Sequence, residues 1–417
     1  MRKNPFRWSR AVACVVITLS LSAPALAEEE PASPALQALA RSLLERHPAA
    51  LAARAELQRS EAEARAAARP LYNPELELDY EDATDITRTV GLSQALDWAG
   101  KRRARARAGQ ESTAAARARL RAARQALLGE LLQALAGLQG ARSAEQVGRR
   151  RVELLQDFLD VAARRFEAGD VGSSDVDLAR LALAESRMQL ASLRAERMAR
   201  EAELESLVAR PAGGWPRLPA LPALPARAAS AAGIDALLAD HPQLRQAEAE
   251  AAAARARVTV ARRERRADPT LGLRGGKEEN DTLVGVTLSI PLFVRNSFRA
   301  ELEAAGAEAG RAESALADQA RRVRARLRAA TARYRLTLAA LHDWERSGRP
   351  SLEGRTRVLK RLWKAGEIDT TDYLVQLRQT LDTQSSAVEL RRSAWQAWRA
   401  WLAAAGRTDH WLGLAAD

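Results

Sequence analysis

Four carboxylates fall at every second position in the segment NPELELDYED: Glu75, Glu77, Asp79 and Glu81. On an extended strand, alternate residues share a face, so these four make one acidic row, with Leu76, Leu78 and Tyr80 on the other side. Such a row attracts cations and needs water. The remaining groups able to hold a metal or attack a substrate are sparse. His47 and His241 each precede a proline, and His342 and His410 stand apart. No HExxH or paired-histidine spacing occurs. Met188 and Met198 lie too far apart in sequence for a soft-metal relay, and Cys14 is the single cysteine. Phosphate loops, dinucleotide fingerprints and nucleophile elbows are missing. We therefore expect no enzyme, no cofactor and no tight metal site within one chain.

The acidic row belongs to one of two strand pairs in a sequence otherwise patterned as helix. The first is the hairpin at 74–96, whose return strand aligns Val90 with Leu92 against Thr89, Gly91 and Ser93. The second is the hairpin at 269–291, where Leu271 and Leu273 match Val284, Val286 and Leu288. Each strand has about nine or ten residues, the length of a tilted membrane-crossing strand.

The two hairpins are copies. HPAALAARA at His47 repeats as HPQLRQAEA at His241, and NPELEL at Asn73 repeats as DPTLGL at Asp268. VGLSQAL at Val90 repeats as VGVTLSI at Val284, and RFEAGDVGSSDV at Arg165 repeats as LWKAGEIDTTDY at Leu362. The four offsets lie between 194 and 197. The chain is thus read as a duplication, with a first repeat at 28–210 and a second at 231–405. A proline-rich linker at 211–230 joins them and a short tail covers 406–417. Each repeat reads as a helix, a hairpin and a long helical hairpin. Leu128, Leu131, Leu135 and Leu138 carry the alternating three- and four-residue spacing of a coiled-coil seam. Uninterrupted from 102 to 165, that helix would extend roughly 95 Å. Pro350 is expected to break or kink its counterpart. Aromatics at 4% and abundant alanine suit extended helices better than a globular core.

The first 27 residues read as a secretory signal: Arg2, Lys3, Arg7 and Arg10, an apolar run, and Ala25-Leu26-Ala27 before the cut. Cys14 lies too early in the apolar run for a lipoprotein box, so no lipidation is expected. Cleavage lowers the net charge from +12 to +8. That excess is interleaved with glutamate along the helices, and export leaves nucleic acid an unsuitable partner.

Four strands leave two unpaired edges, which a bilayer does not tolerate. Closure with other chains removes them: three chains make a twelve-stranded barrel around water. The lipid-facing residues are then the apolar set, and Glu75, Glu77, Asp79 and Glu81 line the lumen.

With these features, the chain resembles the TolC family of outer-membrane efflux proteins. NPEL, VGLSQALDWAGKRRA and SIPLFVRNSFRAELEAA are most similar to its heavy-metal branch, the outer-membrane subunits of cation efflux systems. The resemblance implies a homotrimer with a shared twelve-stranded barrel in outer-membrane lipid, above a long α-helical barrel crossing the periplasm. It also implies a periplasmic adaptor protein and an inner-membrane pump of the RND type. The turns at 166–175 and 363–372 become the periplasmic tip. Locally, Gly169, Gly172 and Gly366 suit chain reversal, Ser173 or Ser174 and Thr370 or Thr371 suit helix capping, and capping alone would explain the nearby acids. The resemblance assigns Asp372 to an acidic ring around the axis. The family's second acid falls at Val375, which leaves a single ring. Asp175 matches an acid of the family's tip latch, Trp363 replaces an aromatic hydroxyl partner, and an arginine partner falls at Ile368, so half of the latch is absent. The function so implied is a passive, gated duct for heavy-metal cations. A duct for drugs or secreted polypeptides keeps the same architecture, and a soluble periplasmic coiled-coil scaffold is the reading of a different class.

Overall fold

The computed structural model describes residues 32–82, 86–279 and 281–414. The proposed signal at 1–27, with Cys14, lies outside the described residues. The chain begins with helices α1 (Pro34–Arg46) and α2 (Pro48–Ala67), followed by strands β1 (Glu75–Asp82) and β2 (Ile86–Ala95). Helices α3 (Lys101–Glu167) and α4 (Ser173–Leu207) complete the first half. The second half repeats the order with α5 (Ala231–Ala239), α6 (Pro242–Glu264), β3 (Thr270–Glu278), β4 (Asp281–Ser289) and α7 (Arg299–Asp343). After a π-helical turn at Trp344–Gly348 come α8 (Arg349–Ala365), α9 (Thr370–Ala405) and α10 (Thr408–Trp411). No helix among the described residues is long and apolar enough to cross a membrane.

The 67 residues of α3 span roughly 100 Å at the α-helical rise. Leu128, Leu131, Leu135 and Leu138 are all buried in the main core, together with Leu204 of α4 and Leu327 of α7. That core is closed by tryptophans. Trp398 stacks on Trp401 at 5.0 Å, and Trp411 meets Trp398 edge-on at 6.1 Å. The linker is fastened to the same core: Trp215 and Leu218 are buried, and the Leu218 amide donates to Gln139 Oε1 at 3.1 Å. Tyr334 O–H donates to the Pro222 carbonyl at 2.6 Å. Farther along the α3–α4 pair, buried Glu145 receives Arg149 and Arg197, each at 2.6 Å. The hydrogen bond from Arg149 is the largest influence holding its carboxyl below the ordinary range, ahead of the opposing effect of burial.

The duplication is visible in its caps. His47 Nδ1 accepts from the Ala49 amide at 3.2 Å, and His241 Nδ1 accepts from the Gln243 amide at 3.3 Å. The two copies differ in burial: His47 is half-buried, whereas His241 is enclosed beside the end of α9. Desolvation there pushes His241 below the usual imidazole value. The unfolded chain therefore takes up this proton first as the medium acidifies. Stability falls as pH drops below about 6.5, the ordinary histidine value, and continues to fall until the folded-state value is reached. His241→Asn keeps a capping acceptor and should remove this part of the pH dependence, measured as thermal midpoints across the mildly acidic range.

Pro350 does not break its helix. A proline at that place leaves the carbonyl four residues earlier without its usual donor. The chain absorbs this in the π turn at Trp344–Gly348 and continues helical into α8. A Cβ added at Gly348 would lie 2.3 Å from the Trp344 ring, so any larger residue there displaces that half-buried ring.

Candidate functional site

The four strands form one antiparallel sheet in the order β1-β2-β3-β4, so the hairpins of the two repeats are joined through β2 and β3. Register aligns Leu76, Leu92, Leu273 and Val286 in one cross-sheet row. Leu78 and Val90 continue this face to Gly275 and Val284. The whole face is uncovered: Leu78 and Val286 are each 70% exposed, and Val284 is 81% exposed. An apolar area this continuous marks contact with lipid or protein.

The opposite face begins with Glu75, Glu77, Asp79 and Glu81 on β1. Ser93 Oγ donates to Glu77 at 3.0 Å, and Thr89 Oγ1 donates to Asp79 at 3.2 Å. The acids thus share one side with hydroxyl donors and with glycines 91, 272, 276 and 285. Glycine is obligatory at 276, where an added Cβ would lie 2.0 Å from the Arg88 carbonyl oxygen. Arg274 stands in the same row as Glu77 and Gly91, so this face is not uniformly acidic. Sequence reasoning missed it, although its strand parity carried the signal.

A second unanticipated cluster ties the sheet to the helices. Buried Lys101, at the start of α3, meets buried Asp268, just before β3, at 3.0 Å. Tyr72 O–H donates to the same carboxylate at 2.7 Å. That bond, with burial and the Asp268 charge, pushes the Tyr72 phenol up to about 12. Glu264 receives Arg105 at 2.8 Å. Asp97 takes the Lys101 and Arg102 amides at 2.6 and 2.8 Å and so caps α3. The partners of Asp268 and Glu264 come from the opposite repeat, some 160–200 positions away, a pairing that local sequence cannot display.

At the far end, both helical hairpins reverse within one small cluster. Trp363 is 2% exposed and lies 5.0 Å from Phe158 and 5.1 Å from Tyr373. Arg165 sits over the Trp363 ring at 4.5 Å and donates from Nη2 to the Trp363 carbonyl at 2.7 Å. An arginine of the first tip turn therefore clasps an aromatic residue of the second. Gly169 and Gly366 are left-handed, with φ of 80° and 79°. Gly172 is not: its φ is −82°, and its amide donates to Asp175 Oδ2 at 3.0 Å. Asp175 thus caps α4 in place of Ser173 or Ser174. Asp369, in place of Thr370 or Thr371, caps α9 by accepting from the Asp372 amide at 2.7 Å. Its carboxylate carries a full charge to the helix N-terminus, which a hydroxyl cannot. The indole nitrogen of Trp363 is buried and donates to no acceptor among the described residues, Asp175 included. Asp372 is exposed and Ile368 packs against the aromatic cluster. Among the described residues, no three metal-ligating side chains converge.

The model of the outer membrane efflux protein family matches residues 39–210 and 233–407. The chain belongs to the outer membrane efflux protein family. Both repeats are covered, and the gap between the matched segments falls in the proline-rich linker. The soluble scaffold reading is thereby set aside, and the chain is an outer-membrane efflux channel. Its fold is shared by solved channels of low sequence identity. The outer membrane protein VceC from Vibrio cholerae is 18% identical with a TM-score of 0.72, covering 89% of this chain and 96% of VceC. The outer-membrane channel OprN is 20% identical with a TM-score of 0.75, covering 90% of each chain. CusC, described for changes accompanying folding and transmembrane channel formation, is 16% identical with a TM-score of 0.72, covering 89% of this chain and 92% of its own. No curated protein matches the sequence significantly.

Proposed function

We propose that three copies of this chain close a twelve-stranded barrel in the outer membrane and form a passive, gated duct for heavy-metal cations. The observation carrying this reading is the sheet itself, with one bare apolar face, one polar face and two open edges. Edge β1 of one copy pairs with edge β4 of the next, which satisfies the backbone groups that lipid cannot. Glu75, Glu77, Asp79 and Glu81 then face the lumen in triplicate. Exposed Leu181 and Met188 of α4 and Leu336 of α7 support side-by-side packing of copies along the helical part.

The helical hairpins reach through the periplasm to the tip, where an adaptor and an inner-membrane RND pump deliver cargo. Exposed Asp372 residues from three copies form the entrance ring. The clasp of Arg165 on Trp363 serves where the family's polar latch would stand, with Gly366 admitting the guanidinium. Opening is an outward movement of the tip helices, and the duct performs no chemistry.

Arg274 on the lumen face favours a second cargo class, since a cation here partly offsets the acids and admits amphiphilic drugs. A deletion strain tested against a panel of metal salts and drugs separates the two. Loss of tolerance toward one or more metals is the expected result. Unchanged tolerance to every metal, with lost tolerance to drugs, would transfer the assignment to the second class.

A further inference from the structure

The belt where the sheet meets the helices carries a charge that the export reading leaves unused. Four segments converge there, 69–74, 96–107, 262–269 and 291–299, holding twelve basic and three acidic residues. Fewer than a tenth of the residues thus supply a local excess of nine positive charges, against +12 for the whole chain. All three acids are already engaged: Asp97 caps α3, Glu264 holds Arg105 and Asp268 holds Lys101. Four of the exposed arginines are not. Among the described residues, no carboxylate pairs with Arg102, Arg103, Arg266 or Arg295. Elsewhere on the helices arginines commonly find a glutamate or aspartate three or four residues away, as Arg59, Arg311 and Arg349 do.

Apolar side chains are exposed directly beside this charge. Trp98 is 71% exposed, its indole donating to the Ala267 carbonyl at 2.9 Å. Leu292 and Val294 are 77% and 85% exposed. An amphipathic aromatic residue next to bare aliphatics and unpaired guanidinium groups is the composition of a surface at the boundary between acyl chains and phosphates. Guanidinium is suited to this, because its donors match phosphate oxygens in pairs.

We infer that this basic belt is a docking collar for anionic phospholipid headgroups in the leaflet facing the helices. The collar fixes the depth of the sheet in the membrane by holding lipid phosphates one layer below the apolar face. This inference rests on the membrane-barrel reading above.

The test is flotation of the purified full chain with phosphatidylcholine vesicles, with and without phosphatidylglycerol, at low and high salt. Wild type should enter both, with phosphatidylglycerol raising incorporation about tenfold at low salt and the gain shrinking in high salt. The quadruple variant R102Q/R103Q/R266Q/R295Q should enter phosphatidylcholine like wild type and lose the gain. The corresponding quadruple lysine variant should keep it. Equal wild-type incorporation into both vesicles, or an undiminished gain in the glutamine variant, would overturn the collar alone. Failure of wild type to enter phosphatidylcholine would overturn the barrel reading beneath it.

Discussion

Arginine in place of Val286 should empty the membrane fraction of this protein, whereas arginine in place of the neighbouring Thr287 should leave it there. Val286 sits near the middle of β4, in the exposed row with Leu76, Leu92 and Leu273. A guanidinium on the lipid face near mid-bilayer costs about 2–4 kcal/mol per chain, and three copies suffer it at once. Thr287 belongs to the opposite row, with Glu75, Ser93 and Gly272. An arginine there meets water and a carboxylate. The measurement is the trimer band on unboiled gels together with the membrane-bound fraction. Normal insertion of Val286→Arg would mean that this face does not touch lipid, and the barrel would have to be abandoned.

Trp363→Ala should have the second large effect, at the opposite end of the molecule. The ring is packed among Phe158, Tyr373 and the Arg165 guanidinium. Removing a buried tryptophan of this kind costs about 3–5 kcal/mol. The loss falls on the contacts that hold the two tip turns together, so the entrance should loosen before the main core does. Cells carrying the variant should admit large polar antibiotics that the closed duct excludes. Arg165→Ala should do the same more weakly, because the aromatic packing survives. A variant that unfolds more easily yet keeps the permeability barrier intact would reduce the clasp to a purely structural contact.

The fold class was legible because it rests on periodicity, and the family because NPEL, VGLSQALDWAGKRRA and SIPLFVRNSFRAELEAA resemble its motifs. Strict alternation at 75–81 leaves a strand as the natural outcome, and the leucine seam from 128 to 138 leaves a helix. Duplication supplied a second reading of each element. The tip was less legible. Gly169 and Gly172 look alike in sequence, but only Gly169 needs a left-handed backbone; Gly172 is extended and leaves Asp175 to hold its amide. Choosing Thr370 or Thr371 over Asp369 as the cap failed because hydroxyl and carboxylate compete within one turn, and the charged acceptor interacts more strongly with the helix end. The packing of Trp363 was not legible either: within one chain its ring faces meet Phe158, Tyr373 and the Arg165 guanidinium, partners that come from both repeats. The Lys101–Asp268–Tyr72 cluster was out of reach altogether, because its members meet only when the repeats come together.

The joining of β2 to β3 within one molecule has a consequence for the kinetics of assembly. A ring built from six single-hairpin units would need five separate encounters, each dependent on concentration, where three two-hairpin chains need two. Here every second seam closes as a unimolecular event, at the effective concentration set by the chain between the hairpins. Gene fusion thereby lowers the reaction order for making the ring and shortens the time during which bare strand edges are free to pair wrongly.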